Sequence, residues 1–323
     1  YKGQALRVLL ELTSFEADNE DEMYEGACEF PWEEIIDLQD TFFVDAVIQS
    51  EVFKNSRWTA LRIKDAIKDR FRNKFRRTPL YVDTQADIPI NVFISGNEIQ
   101  LSIDSSGAPL YRRGNRVKNT ELPTFNEVLA AGMVRLSGWN GEGNFVDPMC
   151  GTGTVLIEAG MIAKNIAPGS FRKHFGFMNW VFGDAKMWDD LLAEAKAGEN
   201  RGNFKLHGSE TSKHALTVTR KDLISSKLGG KMSLDDYGFE LMRMPKSGGK
   251  VMMIPPVLNH LDPVDVASFY KKLGQNIREK CDGFETWILS GSVEGLKHIG
   301  LEPTKSMSIW NGRIECKFLS YDV

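Results

Sequence analysis

The chain is 323 residues long, with 26% charged residues and a formal net charge of −4. That length accommodates two domains with separate cores, and the longest apolar runs fall far short of the roughly 18 residues a membrane span needs. A slightly acidic total argues against wholesale electrostatic wrapping of nucleic acid, while leaving room for local basic patches. The four cysteines, Cys28, Cys150, Cys281 and Cys316, are scattered and form no C-x-x-C pair. They suit a reducing, cytoplasmic setting and imply no metal site.

The opening Tyr1-Lys-Gly-Gln has the character of neither a signal nor a transit peptide. It lacks an initiating Met and runs at once into the strand-like Leu6–Leu12, which predicts a fragment of a longer chain. From Arg57 to Arg77 the apolar residues Ile63, Ile67, Phe71 and Phe75 recur every four positions, the period of an amphipathic helix. Its other face carries Arg62, Lys64, Lys68, Arg70, Arg72, Lys74 and Arg76. Taken alone, such a face is most simply solvated. Two alternating runs follow, Pro89–Ile94 and Glu98–Ile103, separated by Ser95-Gly96-Asn97, which predicts a hairpin. The second strand leads through Asp104-Ser-Ser-Gly107 to Leu110-Tyr-Arg-Arg-Gly-Asn-Arg116. Arg112, Arg113 and Arg116 are thereby candidates for phosphate contacts, together with Lys64 and Lys68, and Tyr111 offers a stacking face.

The polar run Val117–Thr124, containing Pro123, marks a domain boundary. Beyond it, Phe125–Leu136 has helical periodicity, and Trp139-Asn-Gly-Glu-Gly143 interrupts it. The next stretch, Phe145-Val-Asp-Pro-Met-Cys-Gly-Thr-Gly-Thr-Val-Leu-Ile-Glu158, is the most informative in the chain. It predicts a short apolar strand, a tight glycine turn and a helix start. Gly151 and Gly153 let the backbone turn sharply and approach a ligand closely. The amides opening the helix would face an anionic group, and Asp147 stands at the strand's end. The spacing is neither G-x-G-x-x-G nor a P-loop, which makes a nicotinamide-dependent oxidoreductase the remote alternative. Strand–helix alternation continues to the C-terminus, as in an α/β sheet with ligand sites at the strands' carboxyl ends.

Asp104-Ser-Ser-Gly107 with Leu110–Arg116 resembles a THUMP domain, an RNA-binding module found beside RNA-modifying domains. Residues 1–45 resemble the remains of the ferredoxin-like segment that precedes it. Asp147-Pro-Met-Cys-Gly-Thr-Gly-Thr154 resembles the S-adenosylmethionine (SAM) loop of class I methyltransferases. Together with Ala130-Ala-Gly-Met133, Ile157-Glu158, Ile166-Ala-Pro-Gly169 and Trp310–Phe318, it is similar nearly end to end to the THUMP-containing 23S rRNA guanine-N2 methyltransferase family, formerly described as adenine-specific DNA methylases. The resemblance implies a Rossmann-like α/β methyltransferase sheet over 124–323 with a C-terminal antiparallel hairpin. It implies a THUMP-type α/β domain over 46–117 and a partial ferredoxin-like segment over 1–45. It further implies that Asp147, Pro148, Cys150, Gly151, Thr152, Gly153 and Thr154 hold SAM and that Glu210 takes the ribose hydroxyls. Asp235 or Asp236 would accept from the adenine amine, and Asp236 is the one carried forward. The partner that the resemblance implies is structured RNA, 23S rRNA, with no metal.

One landmark departs from that family. Where its pattern reads Asn-Pro-Pro-Tyr, this chain has Ile254-Pro255-Pro256-Val257. In the family, the Asn oxygen and the first Pro carbonyl hold the target's exocyclic amine in line with the SAM methyl, while the ring stacks on the flipped base. Here Pro255 is the remaining acceptor. Losing one oriented acceptor costs on the order of 10²–10³ in rate, and losing the stacking ring roughly 1–3 kcal/mol. Three readings stay open: a divergent active enzyme, a non-catalytic RNA-binding or assembly protein on the same scaffold, and a family-typical enzyme whose sequence has been altered.

Overall fold

The computed structural model describes residues 3–116, 122–256 and 262–323. Its residues fall into two compact units, residues 5–112 with 172–193, and residues 1–4 with 113–171 and 194–323.

The first unit is built on a five-stranded mixed sheet. Its strands are β1 (Leu9–Glu16), β2 (Thr41–Gln49), β3 (Leu80–Tyr81), β4 (Ile88–Ser95) and β5 (Glu98–Asp104), in the order β1-β5-β4-β2-β3. Its helices are α1 (Glu20–Glu29) and α2 (Ser56–Phe75). The predicted hairpin forms as β4 and β5, antiparallel, with Ser95 opposite Glu98. Period-2 alternation sends Ile88, Ile90, Val92 and Ile94 inward from β4, and Ile99, Leu101 and Ile103 from β5. They meet Ile63, Ile67 and Phe71 of α2 in one core. Asn55 caps α2 by accepting from Trp58 N, and Arg76 ends it in the left-handed region. Phe75, predicted on the apolar face, remains 39% exposed because the helix stops there.

Two boundaries differ from expectation. β1 starts at Leu9 rather than Leu6 and pairs along its length with β5. Residues 1–45 are therefore not a separate segment: β1 and β2 lie in the same sheet as β4 and β5, because their partners come from the distant hairpin. In addition, residues 172–193, sequence-distant, pack into this unit, with Trp180 against its core. The predicted linker residues 117–121 lie outside the described residues.

The second unit carries α3 (Glu127–Leu136), β6 (Gly143–Asp147), α4 (Thr154–Ala163), part of α5 (Ala185–Ala197), β7 (Phe204–Ser209), α6 (Lys213–Ser225) and β8 (Met232–Asp235). It continues with β9 (Gly249–Met253), α7 (Pro263–Lys280), β10 (Phe284–Ser290), α8 (Val293–Leu296), β11 (Lys305–Asn311) and β12 (Ile314–Asp322). The seven strands run β11-β12-β10-β9-β6-β7-β8. Strands β6 to β10 are mutually parallel, and β12 pairs antiparallel with both β10 and β11. This is the Rossmann-like sheet with a terminal antiparallel hairpin, turning at Asn311-Gly312.

Central strands of such a sheet are covered on both faces, and alternate residues serve the two layers. Phe145, Met252, Trp287 and Leu289 enter one core, with Ala130, Leu156 and Leu223 from α3, α4 and α6. Val146, Val251, Met253 and Ile288 enter the other, with Tyr270, Leu273 and Ile277 from α7. Strand order reverses between β6 and β9. The carboxyl ends flanking that reversal are where an open α/β sheet leaves a crevice for ligand.

Candidate cofactor site and the basic residues

At the carboxyl end of β6, Asp147 is buried, and one of its oxygens accepts from Met149 N at 3.1 Å. Burial, reinforced by the nearby Glu210 charge, raises its pKa to about 7. The loop then turns on Gly151 (φ +52°) and Gly153 (φ +76°). Both are left-handed conformations that a side chain disfavours. A Cβ on Gly153 would lie 2.5 Å from Thr219 Cγ2, whereas one on Gly151 would meet nothing within 4 Å. The loop is thus closed against α6 on one side and open at Gly151. Gly153 N donates to Cys150 O at 2.7 Å, and Thr219 Oγ donates to Gly151 O at 2.9 Å. Pro148, Cys150, Thr152 and Thr154 are all buried in this turn. Burial pushes the Cys150 thiol well up, so it stays neutral.

Glu210 follows β7 directly. One carboxylate oxygen accepts from Gly151 N at 3.1 Å, and the other from Ser212 N at 2.8 Å. Its own amide donates to Asp235 O at 3.1 Å, tying the ends of β7 and β8 together. The acid, the glycine loop and Asp147 therefore converge on one edge of the sheet. Asp235 ends β8 half-buried, and Asp236 is exposed in the turn after it. These features suit SAM: open backbone at Gly151 for close approach, a buried carboxyl for a cationic amine and an acid one strand over for a diol.

At the end of β9, Ile254 packs partly buried against the core, Pro255 is buried and Pro256 is exposed. The Ile254 side chain offers no acceptor. Val257 lies outside the described residues.

Two of the arginines expected to contact phosphates do not face solvent. Arg113 is wholly buried and forms a two-pronged pair with Glu158, Nε to Oε1 at 3.0 Å and Nη2 to Oε2 at 3.3 Å. It also donates to Gly3 O at 2.6 Å. A buried, paired guanidinium is unavailable to RNA. Arg116, with a side chain 14% exposed, pairs with Asp222 at 3.2 Å and Glu127 at 3.7 Å. Its remaining donors reach Thr152 and Thr154. Asn115 between them is also buried and donates to Ser226 Oγ at 2.8 Å. The Arg-Gly-Asn-Arg run is thus inserted into the second unit because its partner acids arrive from α3, α4 and α6.

Arg112 remains exposed beside the Tyr111 ring and lines a cleft of about 820 Å³ in the first unit. On α2, Lys64 is paired with its neighbour Asp65 at 2.8 Å, and half-buried Lys68 has no ion pair among the described residues. The rest of the basic face is largely answered from within the chain. Arg62 reaches Asp21 at 2.8 Å, Arg70 and Lys74 share Glu33 at 2.6 and 2.7 Å, and Arg72 pairs with Asp69. Arg70 holds Glu33 down to a pKa of about 2. Sequence reasoning counted only acids on α2 itself and missed those on α1 and the turn after it.

It also missed an aromatic cluster in residues 175–188, where Phe175 and Phe177 stack at 5.4 Å and both meet Trp188. The density of Phe and Trp there was the available signal.

Residues 113–319 match the family described as "RMKL-like, methyltransferase domain", and residues 17–104 match the THUMP domain. A ribosomal RNA large subunit methyltransferase K/L from Syntrophotalea carbinolica is 34% identical over 99% of this chain and 46% of its own length. The chain spans about half the length of the curated relatives it matches first. Among solved structures, a "possible methylase" from Clostridium difficile 630 superposes with a TM-score of 0.87 at 27% identity, covering 98% of this chain and 84% of that one. A protein crystallised with S-adenosylhomocysteine (SAH) gives 0.85 at 25% identity, covering 99% and 86%. With that fold, that loop and those matches, the chain belongs to the RMKL-like methyltransferase family and carries a THUMP domain on its N-terminal side.

Proposed function

We propose that this chain is a SAM-dependent RNA methyltransferase acting on a base exocyclic amine, guanine N2 of 23S rRNA. The observation that carries the reading is the convergence of Asp147, the Gly151–Gly153 loop and Glu210, with Gly151 N donating to the Glu210 carboxylate at 3.1 Å. Asp147 and the loop hold the methionine part of SAM, and Glu210 turns to the ribose. The sulfonium makes the methyl group strongly electrophilic, so the chemistry needs mainly an amine held in line. Pro255 O is the acceptor left for that task. The relatives named for rRNA methylation and the SAH-bound neighbour support transfer over bare RNA binding.

The test is calorimetry with SAH on the chain and on Asp147→Ala, followed by methyl transfer to 23S rRNA with N2-methylguanine as the product sought. Binding abolished by the substitution, with that product formed, supports the proposal. A folded chain that does not bind SAH overturns it.

A further inference from the structure

Arg116 was expected to face RNA, and its actual place gives it another role. We propose that Arg116 is a positioning residue for the cofactor loop, holding Thr152 and Thr154 in their binding geometry before SAM arrives; this rests on the loop being the SAM site. Nη1 donates to Thr152 O at 3.1 Å, and Nη2 donates to Thr152 Oγ1 at 3.1 Å and Thr154 Oγ1 at 3.2 Å. The Nε edge faces Asp222 Oδ2 at 3.2 Å and Glu127 Oε1 at 3.7 Å. Those carboxylates are themselves 1% and 9% exposed, so one edge of the guanidinium is anchored in the interior. The other edge is presented to the loop.

The geometry fixes a particular peptide plane. The carbonyl of Thr152 is held by Arg116, and the amide of the same peptide, Gly153 N, is held by Cys150 O at 2.7 Å. With both ends of the peptide tied, a flip of the glycine turn would break both hydrogen bonds at once. On the far side, Thr219 secures Gly151 O. A loop pre-ordered in this way spends no affinity on becoming ordered. The task needs a planar fork with donors on two edges. A lysine could satisfy Asp222 and Glu127 but could not also bridge Thr152 and Thr154.

Arg116→Lys separates a positioning role from a merely structural one, because it keeps the charge between the two buried acids. The chain and the variant are compared by thermal unfolding, SAH calorimetry and amide hydrogen exchange at residues 151–154. The expected result is a folded variant with about tenfold weaker SAH binding, the scale of one charge-assisted hydrogen bond, and faster exchange in the loop. A folded variant in which either affinity or exchange is unchanged overturns the proposal. Should Arg116→Lys not fold, Thr154→Val decides on the same two readouts, with a loss of about threefold expected and no change overturning. Failure of the parent chain to bind SAH would overturn the cofactor reading and this inference with it, whereas parent binding that is lost in Asp147→Ala but unaltered in Arg116→Lys rejects the inference alone.

Discussion

Asp147 is a carboxyl placed where solvent cannot stabilise its charge, and burial carries its pKa to about 7. A cationic amine docking beside it favours the ionised form, so binding should release a proton when the pH is below that value. SAH affinity is therefore expected to rise between about pH 5 and 8 and then level off. Calorimetry in buffers of different ionisation enthalpy measures the released proton directly, and Asp147→Asn should flatten the dependence. Gly153 is constrained in a different way. Its φ of +76° and the 2.5 Å approach a Cβ would make to Thr219 predict that Gly153→Ala loses about 1–3 kcal/mol of stability, read by denaturant unfolding. At Ile254 the missing acceptor sets the expectation. If Pro255 O works alone, Ile254→Asn should raise methyl transfer by on the order of 10² at little cost in SAH affinity.

The elements differ in what they do with charge. The pairs that Arg62, Lys64 and Arg72 make along α2 each have at least one well-exposed partner, so each is worth about 0–1 kcal/mol and is readily exchanged. The pair between Arg113 and Glu158 of α4 is of another kind, with side chains 0% and 2% exposed. Breaking it strands a buried charge, which typically costs about 3–5 kcal/mol. Adjacent residues thus predict opposite phenotypes. Arg113→Ala should lower stability by that amount. Arg112→Glu should leave unfolding unchanged while weakening RNA binding and reducing its salt slope by about one. Filter binding across a salt series, beside thermal melts of both variants, distinguishes them; equal stability of the two would contradict the buried pairing. The Arg-Gly-Asn-Arg run shows why the sequence misled here. Three polar residues and a glycine after a hairpin have the composition of a surface, and nothing nearby announces Glu158, Glu127 or Asp222.

Across the whole molecule, Asp147 and Glu158 act together on stability. Burial raises both to about 7 in the folded chain, Glu158 despite the opposing charge of Arg113. The folded state therefore holds protons that the unfolded state has released, and stability falls as pH rises from about 4 to 7, then levels off. Thermal midpoints measured without cofactor should be higher near pH 5.5 than near pH 8 as far as these groups govern them, and Asp147→Asn should reduce the difference. The same scale separates what was legible in one dimension from what was not. The sequence by itself determined the strand–turn–helix at Asp147–Thr154, the hairpin at Gly96 and the apolar faces of α2 and of the two hairpin strands β4 and β5. Those features follow from backbone φ preferences and from the two side-chain periods, which act between residues a few positions apart. Only the tertiary structure decided that β1 joins the distant β5, that residues 172–193 pack with the first unit and that Arg113 and Arg116 point inward. Strand partners, buried ion pairs and the exposure of a basic residue depend on groups that folding brings from some ten to a hundred positions away, and no local pattern encodes them.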